Sequence, residues 1–188
     1  MADAPGTWQL SSLTIGVYSE TAAEYLPYNP ESPRVARLLI RTIQMGNNNL
    51  QIEHIGSTAV PGCWGKGIID LLVLYSAGSL EPACSALDRL GFQQQSGPEA
   101  FPESRPMRVG SVEYSGRVYR AHAHVLESAA DEARDLLRFR DLLRVNTSLR
   151  RAYEGEKRMI LARGITKSTE YSKAKGVFIR SALAASEF

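Results

Sequence analysis

Asp70 lies inside the apolar run Gly67–Tyr75, and a carboxylate in an otherwise buried strand is costly unless it has a partner or a task. Twelve residues before it, Gly56-Ser57-Thr58 ends a short polar turn. A glycine lets the backbone approach a phosphate closely, and exposed N–H groups with the Ser57 and Thr58 hydroxyls can hold its oxygens. A lone Gly-Ser pair is also an ordinary turn. Its spacing to Asp70 adds a second possibility, a metal placed between nucleotide phosphates and the carboxylate. The structural alternative is a buried acid paired with Lys66, Arg120 or a histidine. Lys66 reads equally as a phosphate clamp or as a solvated loop lysine.

A second constellation lies in the stretch 117–126. If it is a strand, Arg120, His122 and His124 alternate onto one face, with Tyr119 and Val125 on the other. His122 and His124 are two of three histidines in the chain. On a shared face they can coordinate a metal or serve as general acid and base; polar residues on a solvated sheet face are the alternative, and Arg120 on the same face favours a site. His54 precedes the Gly-Ser turn and can reach the same pocket, although the spacing matches no standard zinc signature. Further on, Arg138 and Asp141 are placed to pair, while Arg140 and Arg144 lie four apart, a spacing that can grip a phosphate. Tyr153 with Lys157, and Tyr171 with Lys175, repeat an aromatic–lysine i,i+4 spacing. The aromatics read as bundle packing, and each lysine points to solvent or into a cleft.

These residues must be positioned by the surrounding elements. Val35, Leu38, Leu39 and Ile43 recur at helical spacing, with Pro33 in the first turn and Gly46-Asn-Asn-Asn49 as a stop. Leu13–Tyr18 and Leu50–Ile55 read as short strands. Gly67–Tyr75, apolar on both faces, reads as a central strand covered on both sides. Ser79–Leu90 is helical with Gly91 as its stop, and Phe92–Gln95 is a further strand. Ser96–Pro106 is a Pro-rich loop of a length suited to a lid. Met107–Tyr114 and Arg117–Leu126 form a hairpin about Ser115-Gly116. Ser128 with Asp131 resembles a capping box. Helices from there, from Thr147 to Ala162, and from Ser168 to Ala184 complete the chain. The expected architecture is α+β: a helix, a small mixed βαβββ sheet core, then a C-terminal helical bundle.

Composition sets looser bounds. At 188 residues, with 44% hydrophobic and 22% charged residues, the chain fits one domain over 13–188 after a loose arm, residues 1–12. Net charge is +2, so nothing global demands nucleic acid. From Asp131 onward there are 13 Lys/Arg against 8 Asp/Glu. Such a basic half suits an anionic ligand, or is simply solvated helix surface. Cys63 and Cys84 lack metal-ligand spacing, and no secretory leader is read, so a cytoplasmic location is expected. No apolar run approaches a membrane span.

His54-Ile-Gly-Ser-Thr-Ala-Val-Pro-Gly62, with Lys66 and Ile69-Asp70, resembles the signature of the GrpB-like proteins. The likeness continues through His122-Ala-His124-Val125, Phe139-Arg-Asp141, Leu143-Arg144, Tyr153 with Lys157, and Tyr171 with Lys175 and Phe178-Ile179. That family is placed in the nucleotidyltransferase superfamily of DNA polymerase beta. The resemblance implies a small mixed sheet flanked by helices, with the Gly-Ser turn near nucleotide phosphates. It transfers a fold better than a substrate. Active members of the superfamily carry two carboxylates two residues apart on this strand and a third on a neighbour, which hold two metals. Here the second position is Leu72, and the third falls on the strand of His122 and His124.

The resulting expectation is a protein acting on a small molecule or nucleotide. Gly56, Ser57, Thr58 and Lys66, with Arg120, Arg140, Lys157 and Lys175, form the ligand-binding set. Asp70, His122 and His124 form the catalytic set, with Asp70 and His124 as ligands to a divalent metal if one is used. Metal-free acid–base chemistry in the same pocket, such as cyclisation, isomerisation or dehydration, is the alternative. A non-catalytic nucleotide-binding module is the third.

Overall fold

A computed structural model describes residues 13–96 and 100–186; the expected arm at residues 1–12 lies outside these. Helix α1 (Ser32–Gly46) leads into strand β1 (Gln51–Ile55), a 3-10 turn at Ser57–Ala59, and strand β2 (Ile69–Tyr75). Helix α2 (Leu80–Arg89) and strands β3 (Gln93–Gln94), β4 (Met107–Tyr114) and β5 (Arg117–Glu127) follow. Helices α3 (Asp131–Val145), α4 (Thr147–Ala162) and α5 (Ser168–Ala185) close the chain. The sheet order is β1-β2-β5-β4-β3, with β2 and β5 parallel and the other pairs antiparallel.

Alternation along β2 decides what covers each side of the sheet. Ile69, Leu71 and Val73 join Ala121, Ala123 and Val125 of β5 beneath α1 and α2, where Val35, Leu39, Ile43, Ala83 and Leu87 complete the main core. On the opposite face Leu72, Leu74 and Leu126 pack with Ile55 and with Ala133 of α3. That face is apolar at the end α3 covers. Upstream it turns polar, at Asp70, His122 and His124, and the strand pair opens onto the helical bundle. The bundle has its own core of Phe139, Leu143, Tyr153 and Leu183, into which the loop residues Val60 and Cys63 insert.

Two local expectations are corrected. Leu13–Tyr18 is not a strand; it makes one isolated bridge, Gly16 to Ser111. Gln93 and Gln94 pair with β4 at Val109 and Arg108, which leaves little of that edge for the N-terminal segment, and Val17 stands exposed. Ser128 does not cap α3. The helix starts at Asp131 with Ala130 as its N-cap and no side-chain cap, because the Ser128 amide continues the sheet by donating to the Tyr75 carbonyl (2.9 Å). Of the Ser96–Pro106 loop, the described part lies against the site: the Phe101 ring meets His124 edge-on at 6.2 Å, and Arg105 pairs with Glu132 of α3. No described helix is long and apolar enough to cross a membrane.

Candidate functional site

The parallel register sets Asp70 beside His122 and Leu72 beside His124. Asp70 Oδ1 lies 3.6 Å from His122 Nδ1 and 3.7 Å from His124 Nε2. Burial opposes ionisation of Asp70. The polar contact with His124 and the nearby His122 and Lys175 outweigh it and hold the carboxyl at about 2, so Asp70 is anionic at neutral pH. Burial pushes His122 down to about 3, against the pull of Asp70. The far side of the His122 ring is fixed by Tyr18, whose hydroxyl lies 2.8 Å from Nε2. His124 Nδ1 is buried without a protein partner.

Glycine is obligatory in the turn above Asp70. Gly56 sits at φ +70°, and a Cβ there would lie 2.3 Å from Asp70 Oδ2. Such a conformation favours glycine, and the absent side chain lets the turn close over the carboxylate. Ser57 starts the 3-10 turn, and Gly65 packs on it so closely that a Cβ would come within 2.3 Å of Ser57 Oγ. Gly65 in turn bridges to Leu26, which holds the loop in place.

A cavity opens here, lined by Gly56, Ser57, Gly65, Lys66, Asp70, Tyr153, Lys157, Tyr171 and Lys175. Lys157 is fully buried. Its ammonium donates to the Trp64 carbonyl, lies 3.5 Å from Cys63 Sγ, and sits 4.5 Å from the Tyr153 ring centroid. Lys175 and Lys66 lie over the Tyr171 ring at 5.0 and 5.4 Å. Burial pushes all three ammonium groups down, Lys175 to about 8. Among the described residues neither Lys157 nor Lys175 has a carboxylate within ion-pair distance, and the buried Tyr171 hydroxyl has no partner.

The remaining expected site residues fall outside this cavity. The Thr58 hydroxyl is buried, donating to the Ile68 carbonyl (2.9 Å) and contacting His54 Nε2 (3.0 Å), so it braces the turn. His54 is part of that brace, and burial lowers it to about 4. Arg120 donates to Thr21 Oγ1 (2.6 Å) and, with Lys66, lines a neighbouring hollow beside Leu26 and Tyr119. Arg140 pairs with Glu53 and Asp141 (2.8 Å each) and donates to the His54 carbonyl (3.1 Å). Arg144 donates to the Ala59 carbonyl (3.0 Å) and to Asp141 (3.2 Å). These two guanidiniums fasten α3 to β1 and the turn, and they do not line the cavity. Sequence reasoning missed Tyr18, Gly65 and the cavity-facing role of the two tyrosines; the i,i+4 Tyr–Lys repeat was the signal for the last.

The paired-carboxylate pattern of nucleotidyltransferases can be tested on the donors present. Leu72 is completely buried in the apolar cluster beneath α3. His122 and His124 supply nitrogen where Mg²⁺ prefers oxygen. The residues do not fit a two-magnesium centre.

Comparison with known proteins places this architecture. The UPF0157 protein BH1888 of Halalkalibacterium halodurans is 28% identical over 177 residues, covering 92% of this chain and 87% of the relative. The UPF0157 protein PA4798 of Pseudomonas aeruginosa is 33% identical over 157 residues, 81% of this chain and 62% of that protein. The crystal structure of the conserved protein GrpB from Enterococcus faecalis superposes with a TM-score of 0.60 at 20% identity, covering 85% of this chain and 99% of that one. A fainter likeness, TM-score 0.43 at 13% identity over 71% of this chain and 45% of the other, is to the Cid1 poly(U) polymerase. Residues 23–185 match the family described as GrpB protein, and the chain belongs to that family.

Proposed function

We propose that the chain binds a small phosphate-bearing molecule of the nucleotide class in the lysine-lined cavity and catalyses transfer of its nucleotidyl group. One observation carries this reading: the buried ammonium groups of Lys157 and Lys175 converge on a cavity where, among the described residues, neither has a carboxylate within ion-pair distance and the lining carboxylate is Asp70. Sequestering ammonium groups without counter-charges is unfavourable, and a polyanionic ligand removes that penalty. Gly56 and Ser57 bring backbone to the cavity wall, and the partnerless Tyr171 hydroxyl offers a further hydrogen bond. In this reading the lysines neutralise the phosphates. The attacking hydroxyl approaches the Asp70 wall, with His122 and His124 beside that carboxylate, and pyrophosphate is the leaving group.

A second reading is favoured by Leu72. With one carboxylate between two imidazoles, the same wall can run metal-free proton transfer on an organic anion, Asp70 and a histidine acting as base and acid. Calorimetry with each nucleoside triphosphate, paired with an assay for pyrophosphate release, tests the first reading. Silence in both with all triphosphates overturns it. Turnover that survives EDTA but is lost in His124→Ala supports the second.

A further inference from the structure

We propose that Asp70, His122 and His124 form a mononuclear site for one divalent metal of the zinc–cobalt class, in place of the magnesium pair that the fold suggests. The distances carry the inference. At 3.6 and 3.7 Å the contacts from Asp70 Oδ1 to the two imidazole nitrogens exceed the ordinary hydrogen-bond range, about 2.7–3.2 Å. Ligands at about 2.0–2.2 Å from a tetrahedral ion stand roughly 3.3–3.6 Å from one another, and the two observed edges fall at or just beyond the upper end of that range. The potential ligand atoms of all three residues lie within 4.8 Å of one another.

The surroundings fit the same assignment. A metal-ligating histidine normally has its other ring nitrogen held by a hydrogen bond that fixes ring orientation. Tyr18 does this for His122, at 2.8 Å from Nε2, leaving Nδ1 towards Asp70. The His124 ring meets Phe101 edge-on, and its other nitrogen, Nδ1, has no protein partner. Two imidazoles and one carboxylate select borderline metals over Mg²⁺ or Ca²⁺. Three protein ligands leave a fourth tetrahedral position for water or a substrate oxygen, and Asp70 is itself part of the cavity wall. Leu72, packed in the apolar cluster, provides no ligand for a second ion.

The inference stands on the Asp70 wall and does not require the ligand to be a nucleotide. Its test uses chelator-stripped full-length chain without nucleotide, titrated with Co²⁺ and read by visible d–d absorption. The expected result is one equivalent bound with the intense bands of a tetrahedral centre, displaced by one equivalent of Zn²⁺ and not by millimolar Mg²⁺. His122→Ala and His124→Ala should each lose at least tenfold in Co²⁺ affinity. Circular dichroism checks that the variants fold, and His124→Gln serves as a second variant of closer size. No tetrahedral spectrum, displacement by Mg²⁺ as readily as by Zn²⁺, or unchanged affinity in folded histidine variants would overturn the site. Triphosphate calorimetry on the stripped chain reads the lysine cavity separately, so failure of one proposal is distinguishable from failure of the other.

Discussion

Gly56→Ala separates backbone strain from a direct blow to the site. At φ +70°, ψ −172° an alanine pays the cost of an essentially glycine-only conformation, about 1–3 kcal/mol. Its Cβ would also stand 2.3 Å from Asp70 Oδ2 and 3.0 Å from Asp70 Cβ and Cγ. To restore ordinary contact the carboxylate must retreat by about 1 Å, an overpacking strain of about 1–3 kcal/mol. Gly78 supplies the control: it has φ +78° and nothing within 4 Å of a built Cβ, so Gly78→Ala carries a positive-φ cost with no contact term. Urea denaturation should therefore place Gly78→Ala about 1–2 kcal/mol below the parent and Gly56→Ala about 2–6 kcal/mol below it. Cobalt binding should survive in Gly78→Ala and fall at least tenfold in Gly56→Ala, because a 1 Å shift of Asp70 spoils both imidazole edges. Equal destabilisation by the two substitutions, with Co²⁺ binding intact in Gly56→Ala, would refute the reasoning that the missing side chain exists to admit Asp70.

Three further outcomes follow from named contacts. Lys175→Met should fold and weaken phosphate or triphosphate binding at least tenfold in calorimetry, since a charge-assisted contact is worth roughly 1.5–3 kcal/mol; in the parent, affinity should decline as pH rises through about 8, where Lys175 loses its proton. Leu72→Asp should destabilise by at least about 4 kcal/mol in denaturant titration, from the cavity and an unpaired buried charge together, and should not create a second metal site. For His54, held at about 4 in the folded chain against 6.5 unfolded, the unfolded state binds the proton more tightly. Stability is therefore full above pH 6.5 and is lost as pH falls towards 4, by about 3 kcal/mol; His54→Gln should flatten that part of the pH–stability curve relative to the parent.

Strand alternation made much of the site legible in the sequence. The two-faced run Gly67–Tyr75 puts Asp70, Leu72 and Leu74 on one side, and the period of two puts His122 and His124 together. Pairing across the sheet was not legible. The parallel register that sets Asp70 beside His122 joins strands separated by a helix and a hairpin, and no local pattern encodes it. The guanidiniums misled for a related reason: the i,i+4 spacing of Arg140 and Arg144 shows that they share a helix face but not that Glu53, Asp141 and the carbonyls of His54 and Ala59 meet that face. Tyr18 escaped notice because it reaches His122 from an irregular segment. Lys157 was ambiguous because solvent and cleft are equally open to a helical lysine until α4 and α5 are packed against the loop at Cys63 and Trp64.

The central claim is that the lysine-lined cavity holds the phosphates of a small ligand against the Asp70 wall. A crystal structure of the chain with a non-hydrolysable nucleoside triphosphate tests it most directly. Phosphate oxygens should lie within hydrogen-bonding distance of Ser57, Lys157 and Lys175, with the Tyr171 hydroxyl satisfied. Phosphates bound elsewhere, with that cavity filled by water alone, would contradict it.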